Sequence, residues 1–313
     1  MKVRIAILDD YQNVALEMAD WSPLADKATL TVFNDHLSQA DEIVNRLVPF
    51  DVVCVMRERT PLTRDILARL PRLKLIASAG RRNASIDLAA AADHNIDVMH
   101  TGYDSSSTVE LTWALILASA RNLVIETAAV RSGGWQRTVG DGIRGKVLGI
   151  LGLGNIGTEV ARIAHAFGMD VIAWSENLEP EKARERGARW VSKEELLRQA
   201  DVLTIHLVLS KRTKGLVGTS ELSLMKAAAR LVNTSRGPIV DEGALVDALR
   251  NRQIAGAAVD VFDIEPLPPD HPLRKLDNVL ATPHIGYVSR DLYRIFYQDT
   301  VANIAEWLGR GQS

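Results

Sequence analysis

One stretch of the chain, "KVLGILGLGNIGTEVARIAHAFG" at residues 146–168, restricts the possible folds more than any other. An apolar run leads into Gly152, Gly154 and Gly157, which have the spacing G-x-G-x-x-G, and an amphipathic helical pattern follows them. The first glycine permits a tight turn, the second lets the backbone approach a pyrophosphate, and the third permits close helix–strand packing. The helix N-terminus would also present free N–H groups to the phosphates. The sequence therefore predicts a dinucleotide-binding βαβ unit rather than a glycine-rich turn without a ligand.

Short runs rich in valine, isoleucine and leucine alternate with amphipathic stretches along most of the chain. The runs "VRIAIL", "DVVCVM", "LKLIAS" and "DVLTIHL" are mostly apolar without a break, which is typical of parallel strands covered by helices on both faces. Helical patterns such as "TRDILARL" and "SKEELLRQA" lie between such runs. The alternation predicts an α/β fold of Rossmann-like, doubly wound parallel sheets.

The alternation is interrupted once, by "SSSTVELTWALILASARNLVIETAAVRSGGW" at residues 105–135. Its serines and Thr108 are candidate N-caps, and the glycine pair at 133–134 is a candidate stop. We expect one long helix that joins two α/β domains. A last amphipathic segment, at residues 289–309, has one apolar face and is expected to fold back onto the first domain.

The composition excludes several classes of protein. The chain has 313 residues, 47% hydrophobic and 24% charged, which is the balance of a globular protein of about two domains. A net charge of −2 gives no electrostatic footprint for nucleic acid or an anionic membrane. The single cysteine, Cys54, lies in an apolar run and is predicted to be a core residue. The first apolar run is too short for a signal peptide, and none approaches the ~20 residues of a membrane span, so we expect a cytoplasmic protein.

Polar side chains follow three of the predicted strands in the second half of the chain. Arg236 stands just past "ARLVNTS", and His284 directly follows "NVLATP". Glu265 lies beyond a predicted strand that contains Asp260. Ligands of open α/β sheets bind outside the carboxyl ends of strands, so Arg236, Glu265 and His284 could converge on one crevice. Taken singly, they could instead be a surface cation, part of a turn and a loop histidine.

These three residue types suit the reduction of a 2-keto acid. The planar fork of an arginine matches a carboxylate and can polarise the neighbouring carbonyl. A histidine can give a proton to the carbonyl oxygen near neutral pH while hydride reaches the carbon. A carboxylate beside that histidine would fix its tautomer and favour its protonated form.

The motifs "LGLGNIG", "NTSRGPIVDEGAL", "AAVDVFDIEPLP" and "TPHIGY" together resemble those of the D-isomer-specific 2-hydroxyacid dehydrogenase family, which includes D-3-phosphoglycerate dehydrogenases and glyoxylate/hydroxypyruvate reductases. The segments "RTPLTRDIL", "SIDLAAAA" and "VELTWALILASAR" extend the resemblance nearly end to end. It implies a discontinuous substrate-binding domain, 1–99 plus 287–313, a Rossmann domain at 100–286 that binds NAD(P), and a cleft between them. It also implies a homodimer, a small 2-keto or 2-hydroxy acid as partner, and no metal.

The resemblance assigns roles to individual residues. It implies that Arg236 binds the substrate and polarises its carbonyl, that His284 is the acid/base, and that Glu265 is the carboxylate partner of His284. Asp260 would face the nicotinamide amide. The remaining cofactor contacts would be Thr108, Gly152, Gly154, Asn155, Ile156, Gly157, His206, Thr234, Ser235 and Gly286. The substrate contacts would be Arg57, Ala79, Gly80, Arg81 and Arg236.

The loop "SAGRRNASID" at residues 78–87 departs from the family pattern. There the family commonly has G-x-G, whose backbone N–H groups hold the substrate carboxylate, and then an acidic residue. Gly80 is kept, but Arg82 replaces the second glycine and Ala84 the acid. Arg81 and Arg82 either point to solvent or recognise a second anionic group. Tyr287 is a further departure, whose ring either narrows the pocket or packs on the C-terminal helix.

The turn after the strand "DVIAW" is predicted to recognise the adenosine ribose. Ser175 and Glu176 both lie near the usual spacing of roughly 20 residues beyond the glycine motif. Ser175 stands where the family often carries aspartate, and Glu176 would repel a 2′-phosphate. Because no cation lies in the turn itself, we expect NAD, with NADP as a possible second cofactor.

Two other functions are compatible with this fold. A dinucleotide-sensing scaffold, similar to the C-terminal-binding corepressors, would make peptide docking the main activity. Phosphite oxidation is a second alternative, whereas formate oxidation would place glutamine at Glu265. The sequence does not distinguish glyoxylate, hydroxypyruvate, phenylpyruvate-like acids and 3-phosphoglycerate as substrates.

Overall fold

The chain divides into two compact units in the computed structural model, which describes residues 2–310. Unit 1 consists of Met1–Asp104 and Ser289–Ser313, and unit 2 of Ser105–Val288. Each unit is built on one parallel sheet, of five strands in unit 1 and seven in unit 2. These two sheets confirm the predicted α/β fold class.

Unit 1 is a doubly wound sheet with the strand order β2-β1-β3-β4-β5. Its elements are β1 (Val3–Ile7), β2 (Ala28–Val32), α1 (Ala40–Leu47), β3 (Val52–Val55), α2 (Arg64–Ala68), β4 (Leu75–Ser78), α3 (Leu88–Asp93), β5 (Asp97–His100) and, from the end of the chain, α11 (Arg290–Arg310), with a 3-10 turn at Ser22–Leu24. The order reverses between β1 and β3, which is the switch point of such a sheet.

The core of unit 1 follows from the apolar strands. All residues of β3 and β4 are buried, because helices cover both faces of these inner strands. Cys54 lies in β3, where burial raises the pKa of its thiol to about 12, and its predicted place in the core is confirmed. Helix α11 contacts β4 and β5, and Leu292, Phe296 and Ile304 form part of its buried face.

Unit 2 has the strand order β12-β11-β10-β9-β6-β7-β8. Its elements are α4 (Ser106–Ala120), α5 (Leu123–Arg131), β6 (Val147–Leu151), α6 (Asn155–Ala166), β7 (Asp170–Trp174), α7 (Pro180–Glu185), β8 (Arg189–Trp190), α8 (Lys193–Gln199), β9 (Val202–Ile205), α9 (Thr219–Leu224), β10 (Arg230–Asn233), α10 (Glu242–Arg250), β11 (Gly256–Val259) and β12 (Val279–Ala281), with 3-10 turns at Gly237–Ile239 and Pro272–Arg274. Separate hydrophobic clusters line the two faces of the sheet, as expected when helices cover both. The order reverses between β6 and β9.

The prediction of one long helix over residues 105–135 is wrong. The chain forms α4 and α5, which are bent by 67°. The break falls at Asn122, whose φ of 51° is left-handed, a conformation that asparagine tolerates better than most residues. Within residues 2–310 no single helix is long and apolar enough to span a membrane, although α4 and α5 together pass that test on length and composition.

Candidate active site

The carboxyl ends of the unit 2 strands gather most of the predicted site residues on one edge of the sheet. Gly152 follows β6, Ser175 follows β7, and His206 follows β9. Arg236 lies beyond β10, and His284 beyond β12. Asp260 was expected within a strand, but β11 ends at Val259 and the chain turns away at Asp260. Since parallel strands share a direction, all of these residues lie at the same edge, where such folds bind ligands.

The glycine loop has the geometry that a dinucleotide requires. Gly152 has a φ of 98°, and a Cβ there would lie 2.7 Å from the His206 carbonyl oxygen. A Cβ on Gly157 would lie 2.2 Å from the Gly152 carbonyl oxygen, so helix α6 packs against the loop only without a side chain. A Cβ on Gly154 would meet no protein atom within 4 Å. The chain itself therefore requires glycine at 152 and 157, whereas the space beside residue 154 is open and leaves room for a ligand to approach the backbone.

Helix α6 begins without an acceptor of its own for its first N–H groups. Its N-cap is Gly154, no side chain caps it, and the first turn contains no acidic residue. Asn155 and Ile156, both predicted cofactor contacts, supply the first backbone N–H groups of this helix. The positive end of the helix dipole and these N–H groups fit a pyrophosphate. The residues present are thus suited to NAD(P).

The predicted ribose turn lies beside the glycine loop. The Gly152 N–H donates to the Trp174 carbonyl at 2.9 Å, and Ser175 and exposed Glu176 follow directly. Two nearby cations are paired within α7, Lys182 with Glu185 and Arg184 with Glu181. Arg186 donates to the carbonyl of Leu153 in the glycine loop. The turn therefore presents a carboxylate, as the sequence indicated.

His206 is held as a neutral imidazole at the switch point. Burial lowers its pKa to about 3, and its Nε2 lies 3.0 Å from the Thr204 hydroxyl. The backbone N–H of His206 donates to the Leu151 carbonyl at 2.8 Å, which fixes the His206 backbone beside Gly152. A neutral ring here adds no charge beside the predicted phosphate site.

Threonine hydroxyls at the start of α4 form hydrogen bonds with the loops that carry other predicted cofactor contacts. The Thr108 hydroxyl donates to the Gly286 carbonyl at 3.1 Å. The hydroxyls of Thr112 and Thr234 lie 2.8 Å apart, and that of Thr112 also contacts the Thr108 carbonyl at 2.8 Å. Thr108 was considered as an N-cap, but the N-cap is Ser105 and the Thr108 hydroxyl serves this cross-link instead.

Asp260 organises the loop that contains His284. One carboxylate oxygen accepts from the Thr282 hydroxyl at 2.6 Å and from the Ile285 N–H at 2.8 Å, and the other from the Gly286 N–H at 2.8 Å. Burial raises the pKa of this carboxyl, while these hydrogen bonds oppose the rise. In the resulting loop His284 has a left-handed φ of 53°.

His284 and Glu265 form a hydrogen-bonded pair. The Nδ1 of His284 lies 2.6 Å from one carboxylate oxygen of Glu265. The other oxygen of Glu265 accepts from the Phe262 N–H at 2.9 Å, which fixes the carboxylate. Tyr287, whose role the sequence left open, packs edge-on against the His284 ring at 5.3 Å. With Nδ1 turned to a carboxylate, Nε2 is the ring nitrogen available for proton transfer.

The loop that carries Arg236 is fixed by residues that sequence reasoning missed. The side chain of Asn233 bonds both the Ser235 N–H and the Arg236 carbonyl, each at 3.0 Å. A Cβ on Gly237 would lie 2.1 Å from the Phe262 carbonyl carbon, so the β10 and β11 loops touch through backbone. The Ser235 hydroxyl, predicted to contact the cofactor, donates to the Leu207 carbonyl. An asparagine that ends a strand just before Thr-Ser-Arg-Gly is the signal that could have revealed this turn.

In unit 1, the predicted substrate loop is closed by its own hydrogen bonds. The N–H of Ala79 donates to the Val55 carbonyl at 3.0 Å, and that of Gly80 to the Thr101 hydroxyl at 2.7 Å. These two backbone N–H groups are thus engaged within unit 1, and Ala79 and Gly80 stay predicted substrate contacts. The Arg57 side chain lies against these residues: its Nη1 donates to the Ala79 carbonyl at 3.4 Å, and a Cβ on Gly80 would lie 1.9 Å from the same atom.

The cations of this loop differ in their surroundings. The Arg57 guanidinium lies 5.3 Å from the centre of the Tyr103 ring and 3.6 Å from the Glu58 carboxylate. Arg81 and Arg82 are exposed, and within residues 2–310 their side chains make no ion pair. Asn83 fixes the loop by donating to the Arg57 carbonyl at 2.6 Å. Arg81 and Arg82 thus add unneutralised positive charge to this surface of unit 1.

Known proteins with similar sequences and structures identify the family. The profile described as "D-isomer specific 2-hydroxyacid dehydrogenase, NAD binding domain" matches residues 113–286. Glyoxylate reductase of Aeropyrum pernix is 47% identical over 237 residues, which are 72% of this chain and 71% of that protein. D-3-phosphoglycerate dehydrogenase of Bacillus subtilis is 36% identical, and the match covers 92% of this chain but only 54% of that protein. The chain thus spans about half the length of that dehydrogenase.

The solved structures agree with these matches. The crystal structure of phosphoglycerate oxidoreductase from Vibrio cholerae O395 superposes with a TM-score of 0.94 at 38% identity, covering 98% of this chain and 99% of that one. A D-3-phosphoglycerate dehydrogenase-type oxidoreductase from Ralstonia solanacearum gives 0.93 at 36% identity, covering 98% and 95%. The chain therefore belongs to the family of D-isomer-specific 2-hydroxyacid dehydrogenases, which are NAD(P)-dependent oxidoreductases.

Proposed function

We propose that this protein reduces a small 2-keto acid reversibly to its D-2-hydroxy acid, with His284 as acid/base and Arg236 as substrate binder. The observation that carries the proposal is the 2.6 Å contact between His284 and Glu265 on the same sheet edge as the glycine loop. Relatives named glyoxylate reductase and D-3-phosphoglycerate dehydrogenase support this substrate class.

The glycine loop and the N-terminus of α6 would hold the pyrophosphate of the cofactor, and the ends of β7, β10 and β11 would supply further contacts. When bound, NADH supplies the hydride that is added to the carbonyl carbon of the substrate. Thr108, Thr234 and Gly286, which are linked in one hydrogen-bonded cross-link, would shape the nicotinamide end with Asp260.

His284 would deliver the proton that balances the reaction. Its Nδ1–H donates to Glu265, so the proton on Nε2 is the one transferred to the carbonyl oxygen during reduction. Glu265 holds the imidazole in the orientation that leaves Nε2 to exchange this proton. In the reverse direction the neutral Nε2 accepts the hydroxyl proton of the 2-hydroxy acid.

Arg236 would bind the substrate carboxylate and polarise the carbonyl. Its guanidinium offers five N–H donors in one plane, and Nη1 donates to the Ser235 carbonyl at 2.7 Å.

Arg57 and Arg81 of unit 1 are proposed as further substrate contacts through their side chains. If Arg81 and Arg82 recognise a second anionic group, changing both to alanine will raise KM for a phosphorylated 2-keto acid more than for glyoxylate. An unchanged KM for every 2-keto acid would remove them from the proposal.

We further propose NAD as the preferred cofactor. Glu176 places a carboxylate in the ribose turn, and Lys182 and Arg184 are engaged in ion pairs rather than turned to a 2′-phosphate. Glu176→Ala should lower the ratio of the KM for NADPH to the KM for NADH several-fold. Equal effects on both cofactors would contradict this assignment.

A homodimer and a cytoplasmic location complete the proposal. Val124 and Val130 on α5 are 56% and 58% exposed, and nearby Trp135 is 74% exposed, so this part of unit 2 presents apolar surface suited to a second copy. Sedimentation equilibrium and cell fractionation test these two points.

The decisive experiment is a panel of 2-keto acids assayed with NADH and NADPH, on the wild type and on His284→Ala. We expect a kcat lower by roughly 10²–10⁴ in the variant, with an unchanged Kd for NADH, because only proton transfer is removed. The panel includes glyoxylate, hydroxypyruvate, 3-phosphohydroxypyruvate and, in the oxidative direction, phosphite. If wild type and His284→Ala were equally slow on every compound, the proposed reaction would be wrong.

A further inference from the structure

Asn233 is the last residue of β10 and bonds both the turn that carries Arg236 and the backbone of Asp260. Its side chain is almost fully buried, with a relative exposure of 2% for the residue. Its backbone carbonyl accepts from the Asp260 N–H at 2.9 Å, which links it to the residue that organises the His284 loop. Its side-chain amide bonds a different part of the site, the turn after β10 that carries Arg236.

The amide group of Asn233 spans this turn. The Oδ1 atom accepts from the Ser235 N–H, and Nδ2 donates to the Arg236 carbonyl, both at 3.0 Å. Arg236 itself has an extended backbone, with φ −147° and ψ 136°, and the 3-10 turn at Gly237–Ile239 begins immediately after it. The bond to the Arg236 carbonyl therefore sets the direction in which the Cα–Cβ bond of Arg236 leaves the loop.

The two neighbours of Arg236 in this turn, Ser235 and Gly237, are held by other contacts. The Ser235 hydroxyl is bound to the Leu207 carbonyl, and Gly237 is packed against the Phe262 backbone. Arg236 lies between these two attachments, and the side chain of Asn233 bonds its carbonyl across the turn. The amide of asparagine carries its donor and its acceptor on two separate atoms, so it can bond both groups at once, whereas an ionised aspartate offers acceptors alone.

We propose that Asn233 is a positioning residue for the reaction, which aims the guanidinium of Arg236 by bonding the backbone on both sides of the Ser235–Arg236 peptide. The inference rests on the proposed role of Arg236. Asn233 does not touch the substrate; it acts on kcat/KM through Arg236, and it leaves the glycine loop untouched.

The test uses Asn233→Asp in the full-length protein, because aspartate keeps the acceptor for Ser235 and turns a second acceptor towards the Arg236 carbonyl. We expect kcat/KM for the best 2-keto acid to fall at least tenfold, while the Kd of NADH stays within twofold. The matched control is Asn278→Ala, since Asn278 also bonds a backbone carbonyl, that of Leu249 at 3.1 Å, but lies at the opposite edge of the sheet before β12. Its kcat/KM should stay within twofold of the wild type.

A double-mutant cycle with Arg236→Lys separates positioning from general damage. Lysine keeps the charge but not the planar fork, so there is little left to aim, and Asn233→Asp should change kcat/KM by at most twofold in that background. Equal losses in both backgrounds would overturn the proposal, and so would loss of folding in Asn233→Asp. If Arg236→Lys were as active as the wild type, the role of Arg236 in the proposed function would fail instead.

Discussion

The two sheets of this protein have the same doubly wound design but differ at their switch points. In unit 2 the first strand, β6, runs into Gly152 and Gly154, and α6 begins there without a side-chain cap. In unit 1 the first strand, β1, runs into two aspartates. The carboxylate of Asp10 accepts from the N–H groups of Val14 and Ala15, at 3.0 and 2.9 Å.

The second aspartate of unit 1 is also satisfied internally. Buried Asp9 contacts Nδ1 of His36 at 2.9 Å and the Thr60 hydroxyl at 2.6 Å. Unit 1 thus supplies its own anions at the position where unit 2 has glycines and a helix start without a side-chain cap. The strand order alone does not make a dinucleotide site; the residues that follow the first strand decide whether an external anion can bind.

Among the substitutions that test the difference between the two sheets, Gly157→Ala in unit 2 should have the largest effect. The added Cβ would lie 2.2 Å from the Gly152 carbonyl oxygen, so either the helix or the loop must move. We expect a loss of about 1–3 kcal/mol in the free energy of unfolding, together with a Kd for NADH at least tenfold higher. Urea denaturation and fluorescence titration measure the two effects, and wild-type values for both would contradict the packing described for α6.

In unit 1, Asp10→Ala should affect stability alone. It leaves two N–H groups without their acceptor, one of them buried, which costs about 1–3 kcal/mol in the free energy of unfolding. The Kd of NADH should not change. Exposed Asp20, which accepts from the Ser22 N–H at 2.9 Å, is the matched control, and Asp20→Ala should lower the free energy of unfolding less than Asp10→Ala does. A weaker affinity for NADH in Asp10→Ala would undo the contrast between the two sheets.

His206 gives a smaller, pH-dependent effect at the switch point of unit 2. Its pKa is about 3 in the folded protein against an ordinary value of 6.5, so between these values the unfolded chain binds a proton that the folded chain does not. The free energy of unfolding should therefore fall as the pH is lowered below 6.5, by up to about 1.4 kcal/mol per pH unit. Urea denaturation at pH 7, 6 and 5 should show a shallower slope for His206→Gln, but not for His94→Gln at an exposed position. Parallel slopes for all three proteins would refute the assignment.

The sequence predicted the parts of this edge that depend on local pattern. The glycine spacing indicates a strand, a turn and a helix because the tight turn requires glycine at 152 and the packing of α6 requires it at 157, and the structure has all three elements in place. Glu265 and His284 are 19 positions apart in sequence, yet they meet because β11 and β12 are neighbours. Their expected contact is observed, and their catalytic roles are proposals.

Other features depend on contacts that no local pattern reveals. The break at Asn122 lies inside a continuous helical pattern, and only the left-handed backbone of that residue shows it. The N–H groups of Ala79 and Gly80 are taken by Val55 and Thr101, which come from neighbouring strands or their ends. The asparagine at 233 is a sequence signal for the turn after β10, but that its amide bonds both the Ser235 N–H and the Arg236 carbonyl is seen only in three dimensions.

The most direct test of the contrast between the two sheets is the Kd of NADH for Gly154→Ala. A Cβ at residue 154 meets no protein atom within 4 Å, so the midpoint of thermal unfolding should match that of the wild type. If the pyrophosphate approaches the loop at this residue, the Kd of NADH will rise at least tenfold. An unchanged Kd at unchanged stability would show that the glycine edge of unit 2 is not where the dinucleotide binds.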